Sequence, residues 1–471
     1  MSELLFETDW LGSRPVFYNE LTRAASYDIN DVIVAAEVEI DPDGLRAYLA
    51  AGYSIFGRTP VRHVRYVPPS TRLWRDDDGM LRLEAVPLDL NASVDTPRTE
   101  AEVIDLLRER VRKTESSTDD RIIIPTSGGY DSRLLNLMVA NVSRVRSYTF
   151  GPTARQWDST EVARARALSG LLGTRWERIH LEPFHTHLDE WDRAFGPAVH
   201  AHGMYQMEFY RQIRAREPDG GIVLSGHGGD WCEWLWDEAV EPLRGPNDLQ
   251  RLILSHGAHA DADAALLGRG APLAEQYFET HREELRTFVG RTVEGIRFRV
   301  MLTHYLVKVP RLYGFAVDEP FLDFDVASAM LSLPDERRRD RRWVDEYLAS
   351  RGALFKDVQA NDVYWLYWPV MRSQPLEPLD VDLLSEIVQG DYVRWANRTV
   401  RWRGLWWEGY ERMSRHRPFR RAAKYLSERG IKQQRLPAYH AYMTLRPLER
   451  LLRRRDAARL GHHPSDRREP R

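Results

Sequence analysis

The chain has 471 residues, which at about 150 residues per domain allows two to three domains and a sizeable buried core. It is 43% hydrophobic, with 67 Lys and Arg against 70 Asp and Glu and a formal charge of -3. That composition excludes a disordered chain and argues against a general nucleic-acid binder, which must neutralise a phosphate backbone. No run nears the ~18 apolar residues of a membrane helix, the acidic start lacks the pattern of a signal peptide, and Cys232 is the single cysteine. A reducing cytoplasm is the expected location, without disulfides or a multi-cysteine metal site.

In chain order, residues 16–19, 31–40 and 63–67 are rich in β-branched and aromatic side chains and predict strands. Asp41-Pro42-Asp43-Gly44 reads as a turn, with a short helix after it. Residues 76–79 predict a hairpin turn between two further strands. The polar stretch 88–97 reads as a linker and sets the domains at 1–97, 98–360 and 361–471. Beyond it, residues 100–113 carry Val103, Ile104, Leu107 and Val111 at helical spacing. Residues 122–124 form a β-branched run that feeds a small polar turn and a helix. Two more strand–helix units follow, and residues 221–226 supply another strand. This alternation predicts the α/β class, a parallel sheet with helices on both faces, preceded by a small β-rich α+β domain. Ligands of such sheets sit at the carboxyl ends of the strands. From residue 248 the chain reads mainly helical, ending in an arginine-dense stretch.

The strongest chemical signal is Ser127-Gly128-Gly129-Tyr130-Asp131-Ser132, placed between strand and helix. Small residues let backbone N–H groups approach a phosphate, and the helix that follows presents its unbonded N–H groups to the same anion. Ser127 and Ser132 add hydroxyl donors, and Asp131 can hold a magnesium ion that bridges phosphate oxygens.

The run IIIPTSGGYDSR resembles the pyrophosphate loop of the N-type ATP pyrophosphatases, most of all the synthetase domain of the asparagine synthetase family. Three further segments extend the resemblance over residues 98–346: SYTFG with the Trp157-to-Glu161 run, Val223-Leu224-Ser225-Gly226-His227-Gly228-Gly229-Asp230, and Glu319-Pro320-Phe321-Leu322-Asp323. It implies an adenine-nucleotide alpha hydrolase-like fold, ATP and Mg2+ as cofactors, Phe150 and Gly151 beside adenine, and Ser225 and Gly226 at the nucleotide. Asp230 then falls at the second magnesium aspartate, followed by Trp231 where the family has Glu. Residues 8–18 and 68–70 resemble the later part of a class II glutamine amidotransferase domain. That chemistry uses an N-terminal cysteine; here the sequence starts Met1-Ser2-Glu3, so glutaminase activity is not expected.

Other departures bear on mechanism. His227 stands where the family carries Glu, or Tyr in its β-lactam-forming members, and is the candidate base for an attacking amine. The family's Glu-x-Arg is replaced by Ala316-Val317-Asp318. Its later lysine, which steadies the tetrahedral oxyanion, has no clean match, leaving Lys356 and Lys308 as candidates. His185-x-His187 and His200-x-His202 have metal-compatible spacing on a strand but read more simply as packing. The aromatic group Tyr364, Trp365, Tyr367, Trp368, Trp395, Trp402, Trp406 and Trp407 reads as helix packing or as an acceptor pocket. The arginine-rich stretches 415–430 and 446–455 read as a solvated helix face or an anionic-partner surface.

The resemblance implies an ATP-dependent amide-forming ligase. A carboxylate is activated as an acyl-adenylate with loss of pyrophosphate, then attacked by an amine that is intramolecular or comes from a source other than glutamine. Its partners would be small-molecule or peptide carboxylates and amines, not nucleic acid, with a homodimer left open. The alternatives are an ammonia-dependent asparagine synthetase and a non-catalytic ATP-binding scaffold.

Overall fold

The computed structural model describes residues 2–88, 90–151, 156–229, 239–253, 259–356, 376–401 and 435–461. Six N-terminal strands, β1 (Glu3–Glu7), β2 (Phe17–Asn19), β3 (Ala25–Ser26), β4 (Val64–Tyr66), β5 (Thr71–Arg75) and β6 (Leu81–Ala85), form two antiparallel sheets ordered β1-β5-β6 and β3-β2-β4. The predicted β5–β6 hairpin is present. Asp76 Oδ1 closes its turn by accepting from the N–H groups of Asp78 (3.1 Å) and Met80 (2.8 Å).

Two local readings are corrected. Residues 31–40 are not a strand: a helical turn spans Ile29–Val32 and a 3-10 turn spans Ala35–Glu37. The Asp28 side chain caps the first turn through Asn30 N–H, and Ile29 and Val32 are buried together at i,i+3 spacing; a cap and a buried face outweigh β-branched preference. Asp41-Pro42-Asp43-Gly44 is likewise not a separate turn but the start of α1 (Pro42–Ala51). Asp41 is the N-cap, Pro42 occupies the first turn, and Gly52 ends the helix at φ 84.

The helices used below are, after α1, α2 (Glu100–Ser117), α3 (Tyr130–Met138), α4 (Thr160–Leu172), α5 (Met204–Arg216), α6 (Pro272–Thr280), α7 (Phe288–Thr303), α8 (Tyr305–Leu312), α9 (Phe324–Leu331), α10 (Arg342–Ser350), α11 (Gly390–Arg401) and α12 (Arg435–Arg459). A capping box between Thr99 and Glu102 starts α2. The linker 88–97 holds a short helix, Leu90–Val94.

The principal sheet contains β7 (Ile122–Pro125), β8 (Val145–Thr149), β9 (Arg175–Arg178), β10 (Ile222–Leu224) and β11 (Ala316–Asp318), in the order β11-β10-β7-β8-β9. All four pairings are parallel. Strand alternation divides its side chains between two cores. Ile122, Ile124 and Leu224 join Val103 and Leu107 of α2 and Leu134 of α3. Ile123, Tyr148 and Val223 join Met207 and Phe209 of α5. The second core also takes in Phe17, Leu45 and Tyr48 from the N-terminal part and Tyr439, Tyr442 and Leu448 of α12. The first and last segments therefore share a core with the sheet. The Tyr48 hydroxyl donates to Thr444 O across this contact (3.2 Å). Of the two arginine-rich stretches, 446–455 lies on α12, whose Leu448, Leu451 and Leu452 are buried; 415–430 lies outside the described residues. Among the described residues, no helix is long and apolar enough to cross a membrane.

Candidate functional site

The strand order sets where a ligand can sit. The chain runs outward from β7 to β8 and β9, then returns to place β10 on the other side of β7. The loops after β7 and β10 therefore part at a topological switch point, where an open parallel sheet leaves a crevice. A cavity of about 370 Å3 opens there, lined by Ser127, Asp131 and Ser132 from the first loop and by Ser225, Gly226 and His227 from the second.

The first loop is shaped for close approach. Gly128 has φ +72, and a Cβ there would stand 2.7 Å from Arg164 Cβ and 2.9 Å from Glu161 O of α4. Gly129 is the N-cap of α3 and supplies no side chain to its N–H groups. The Ser127 hydroxyl accepts from Gly129 N–H (3.2 Å), and the Ser132 hydroxyl donates to Gly129 O (3.2 Å). The start of α3 thus faces the cavity as an anion site with two hydroxyls beside it.

Asp131 is packed between the loops. A Cβ at Gly229 would fall 2.8 Å from Asp131 Oδ1, so only glycine leaves this carboxylate its place. Arg341 NH1 lies 3.8 Å from the same oxygen, and its guanidinium sits 5.2 Å from the Tyr130 ring centre. Asp230 lies outside the described residues. Among the described residues, no group of three or more His, Cys, Asp or Glu is placed to hold a metal. Asp131 offers the hard oxygen that Mg2+ prefers, in a cradle that a β-carbon at 229 would fill.

On the β8 side, Thr126, Tyr148, Thr149 and Phe150 line the cavity. Gly151 closes against the chain, where a Cβ would meet Gln156 O at 2.0 Å. The wall opposite comes from Gln206, Phe209 and Tyr210 of α5 and from Arg299 and Thr303 of α7. Arg299 is 1% exposed.

His227 joins the two halves. Its Nδ1 is 2.8 Å from Glu319 Oε1, and its Nε2 is 2.7 Å from Thr303 Oγ1. Thr303 Oγ1 also lies 2.9 Å from Arg299 O, so its single proton has two competing acceptors. Glu319 follows Asp318, which Arg110 and Thr114 of α2 bind. The arginine missing from the segment before Pro320 is thus matched by one contributed from another helix.

The two lysines lie elsewhere. Lys308 Nζ donates to Ala194 O and lies 3.4 Å from Asp28 Oδ2; burial holds its ammonium below the ordinary lysine value, with Asp28 pulling it back up. Leu306, two residues earlier and so on another face of α8, is the one that lines the cavity. Lys356 is exposed and pairs with Asp345 at 2.6 Å; this carboxylate holds it above the ordinary lysine value. Neither lysine reaches the cavity wall.

The histidine pairs sit in 3-10 turns rather than strands. His185 Nε2 bonds the Tyr439 hydroxyl (2.8 Å), and His187 bridges Glu190 and Glu208. Of the aromatic group, Trp395 stacks on Tyr392 in α11; Tyr364, Trp365, Tyr367, Trp368, Trp402, Trp406 and Trp407 lie outside the described residues. Arg299, Thr303 and Arg341 are site residues that the sequence patterns do not single out. The available signal for the first is an arginine within the apolar run of α7.

The parallel α/β sheet with a phosphate-loop geometry at its switch point defines the class to which the chain's fold and site belong. The chain matches no protein-family model and no curated protein.

Proposed function

We propose that the chain is an ATP-dependent, AMP-forming ligase that makes an amide bond, built like the synthetase half of the asparagine synthetase family on an adenine-nucleotide alpha hydrolase-like sheet. The observation that carries this reading is the Ser127–Ser132 loop at the switch point, with Asp131 wedged against Gly229 and His227 on the same cavity.

In this reading the start of α3 and the hydroxyls of Ser127 and Ser132 bind the pyrophosphate end of ATP, with the Arg341 guanidinium beside them. Asp131, together with Asp230, would hold Mg2+, which neutralises charge on the phosphate oxygens. A substrate carboxylate oxygen attacks the α-phosphorus and pyrophosphate leaves. An amine then attacks the acyl carbonyl of the acyl-adenylate, and AMP leaves.

The amine must lose a proton, and His227 can take it. With Nδ1–H donating to Glu319, the ring presents Nε2 as an acceptor to the Thr303 hydroxyl. Turning that hydroxyl to Arg299 O, already 2.9 Å away, frees Nε2 for the amine. Glu319 fixes the tautomer and balances the imidazolium that forms.

The reading is tested by pyrophosphate exchange into ATP and by AMP release across a panel of carboxylates and amines. AMP is expected to appear only with an acceptable carboxylate. Glu319→Gln is expected to retain exchange and lose about 100-fold in amide formation, because it touches only the second step. Carboxylate-independent AMP, or equal loss of both activities in Glu319→Gln, would contradict it. A second reading, a non-catalytic ATP-binding protein, is favoured by the distance of Lys308 and Lys356 from the cavity, and it predicts ATP binding with no exchange for any carboxylate.

A further inference from the structure

Two more cavities lie beyond α7, away from the nucleotide-type site, and they meet. The first, about 390 Å3, separates the N-terminal sheets from α6 and α7; the aromatic rings of Phe56, Tyr66, Tyr277 and Phe298 form much of its wall. The second, about 360 Å3, is lined by Ala47, Ala50 and Ala51 of α1 with Ile55, Leu249 and Ile253. Phe56 and Leu273 line both.

The two chambers differ in chemistry. The first carries Arg58, Arg65 and Arg297 against Glu20 as its one acidic wall residue. Arg58 and Arg65 share the carboxylate of Asp41, at 3.1 and 3.4 Å. That carboxylate also caps α1 by accepting from the N–H groups of Asp43 and Gly44. Arg58 Nε is shielded from water and finds no hydrogen-bond acceptor among the described residues, an unusual state for a buried donor. Small aliphatic side chains dominate the second chamber.

Phe56 stands at the junction under strain. Its φ is +58, a region that a bulky residue rarely enters and that costs about 1–3 kcal/mol. It sits at the tip of a tight turn in which Ile55 pairs with Arg58, so the strained ring and the orphaned guanidinium donor belong to one turn. Strain of this kind gathers at ligand-holding sites.

We propose that the two chambers form one binding site for a small amphipathic carboxylate, its head on Arg58 and Arg65 and its alkyl chain passing Phe56 into the alanine-lined chamber. The carboxylate supplies the acceptor that Arg58 Nε lacks, and its single charge suits a wall on which arginine outnumbers glutamate. The alkyl chain removes apolar surface from water against Ala47, Ala50 and Ile55. The site does not depend on the nucleotide reading. It shares α7 with the first cavity, Phe298 and Met301 facing this side while Arg299 and Thr303 face the other.

The test is calorimetric titration of the full chain with butyrate, hexanoate, octanoate and decanoate, and with decanol as the uncharged control. Affinity is expected to rise about fourfold per added methylene until the second chamber is full, and decanoate should bind at least tenfold more tightly than decanol. Ala47→Phe, which fills the apolar chamber, should reduce decanoate binding to the level of butyrate. Arg58→Gln should erase the preference for decanoate over decanol. Absence of decanoate binding at millimolar concentration, affinity independent of chain length, or an unchanged decanoate affinity in folded Ala47→Phe would each overturn the proposal. If either variant does not fold, the chain-length series and the decanol comparison on the wild-type protein decide it.

Discussion

Gly128→Ala is expected to abolish the stabilisation that Mg·ATP confers on the folded chain. The wild type should gain about 2.7 kcal/mol against unfolding at ligand a hundredfold above Kd, and the variant none. The added Cβ meets Arg164 Cβ at 2.7 Å and the backbone oxygen of Glu161 at 2.9 Å. Backbone cannot yield as a flexible side chain does, so either α4 moves out or the loop changes its path. Glu161 and Ser127 both line the cavity, and each adjustment spoils the anion site. Loss of the left-handed conformation at φ +72 adds about 1 kcal/mol of destabilisation without ligand. Denaturant unfolding with and without Mg·ATP separates the two effects. An undiminished ATP response in the variant would show that the loop does not hold the nucleotide.

Acid should unfold the protein steeply between pH 6.5 and 4.5. Burial depresses His185 to about 3; burial and then Lys308 depress His304 to about 3; burial and then His259 depress His440 to about 4. In the unfolded chain each would protonate near 6.5. These groups therefore contribute their full stability above pH 6.5 and lose it as pH falls towards the folded values, since only the unfolded state gains protons in that window. The slope is about 1.4 kcal/mol per pH unit for each, about 4 for the three together, against a typical total of about 5–15 kcal/mol. His187 acts in another window. Burial depresses it, but hydrogen bonds from Glu208 and Glu190 outweigh this and leave it raised. Its contribution is complete below pH 6.5 and fades above. His304→Leu should remove about a third of the acid slope. Unfolding free energies that stay level from pH 6.5 to 4.5, or an unchanged slope in that variant, would refute this assignment.

What the sequence disclosed follows from how locally each feature is determined. The Ser127–Ser132 loop was legible because strand, glycine pair and helix start lie within a dozen residues, and φ +72 at Gly128 is a demand glycine alone meets cheaply. The parallel sheet was legible from β-branched runs alternating with helical ones, although its order was not, since β10 pairs with β7 across nearly a hundred residues. The start of α1 was misread because Asp-Pro-Asp-Gly serves equally as a turn and as a cap with its first helical turn. The partners of His227 could not be read at all. Thr303 and Glu319 are 76 and 92 residues away in sequence, and only the packing of α7 and β11 beside β10 brings them to one ring. The same holds for Arg110, which reaches Asp318 from 208 residues earlier.

The central claim, that the switch-point cavity binds ATP through Asp131 and its loop, is tested most directly by calorimetric titration of wild type and Asp131→Asn with Mg·ATP. The account predicts one saturable site per chain, weakened at least about tenfold in the variant, the equivalent of about 1.4 kcal/mol. No binding by folded wild-type protein, or equal affinity in Asp131→Asn, would contradict it.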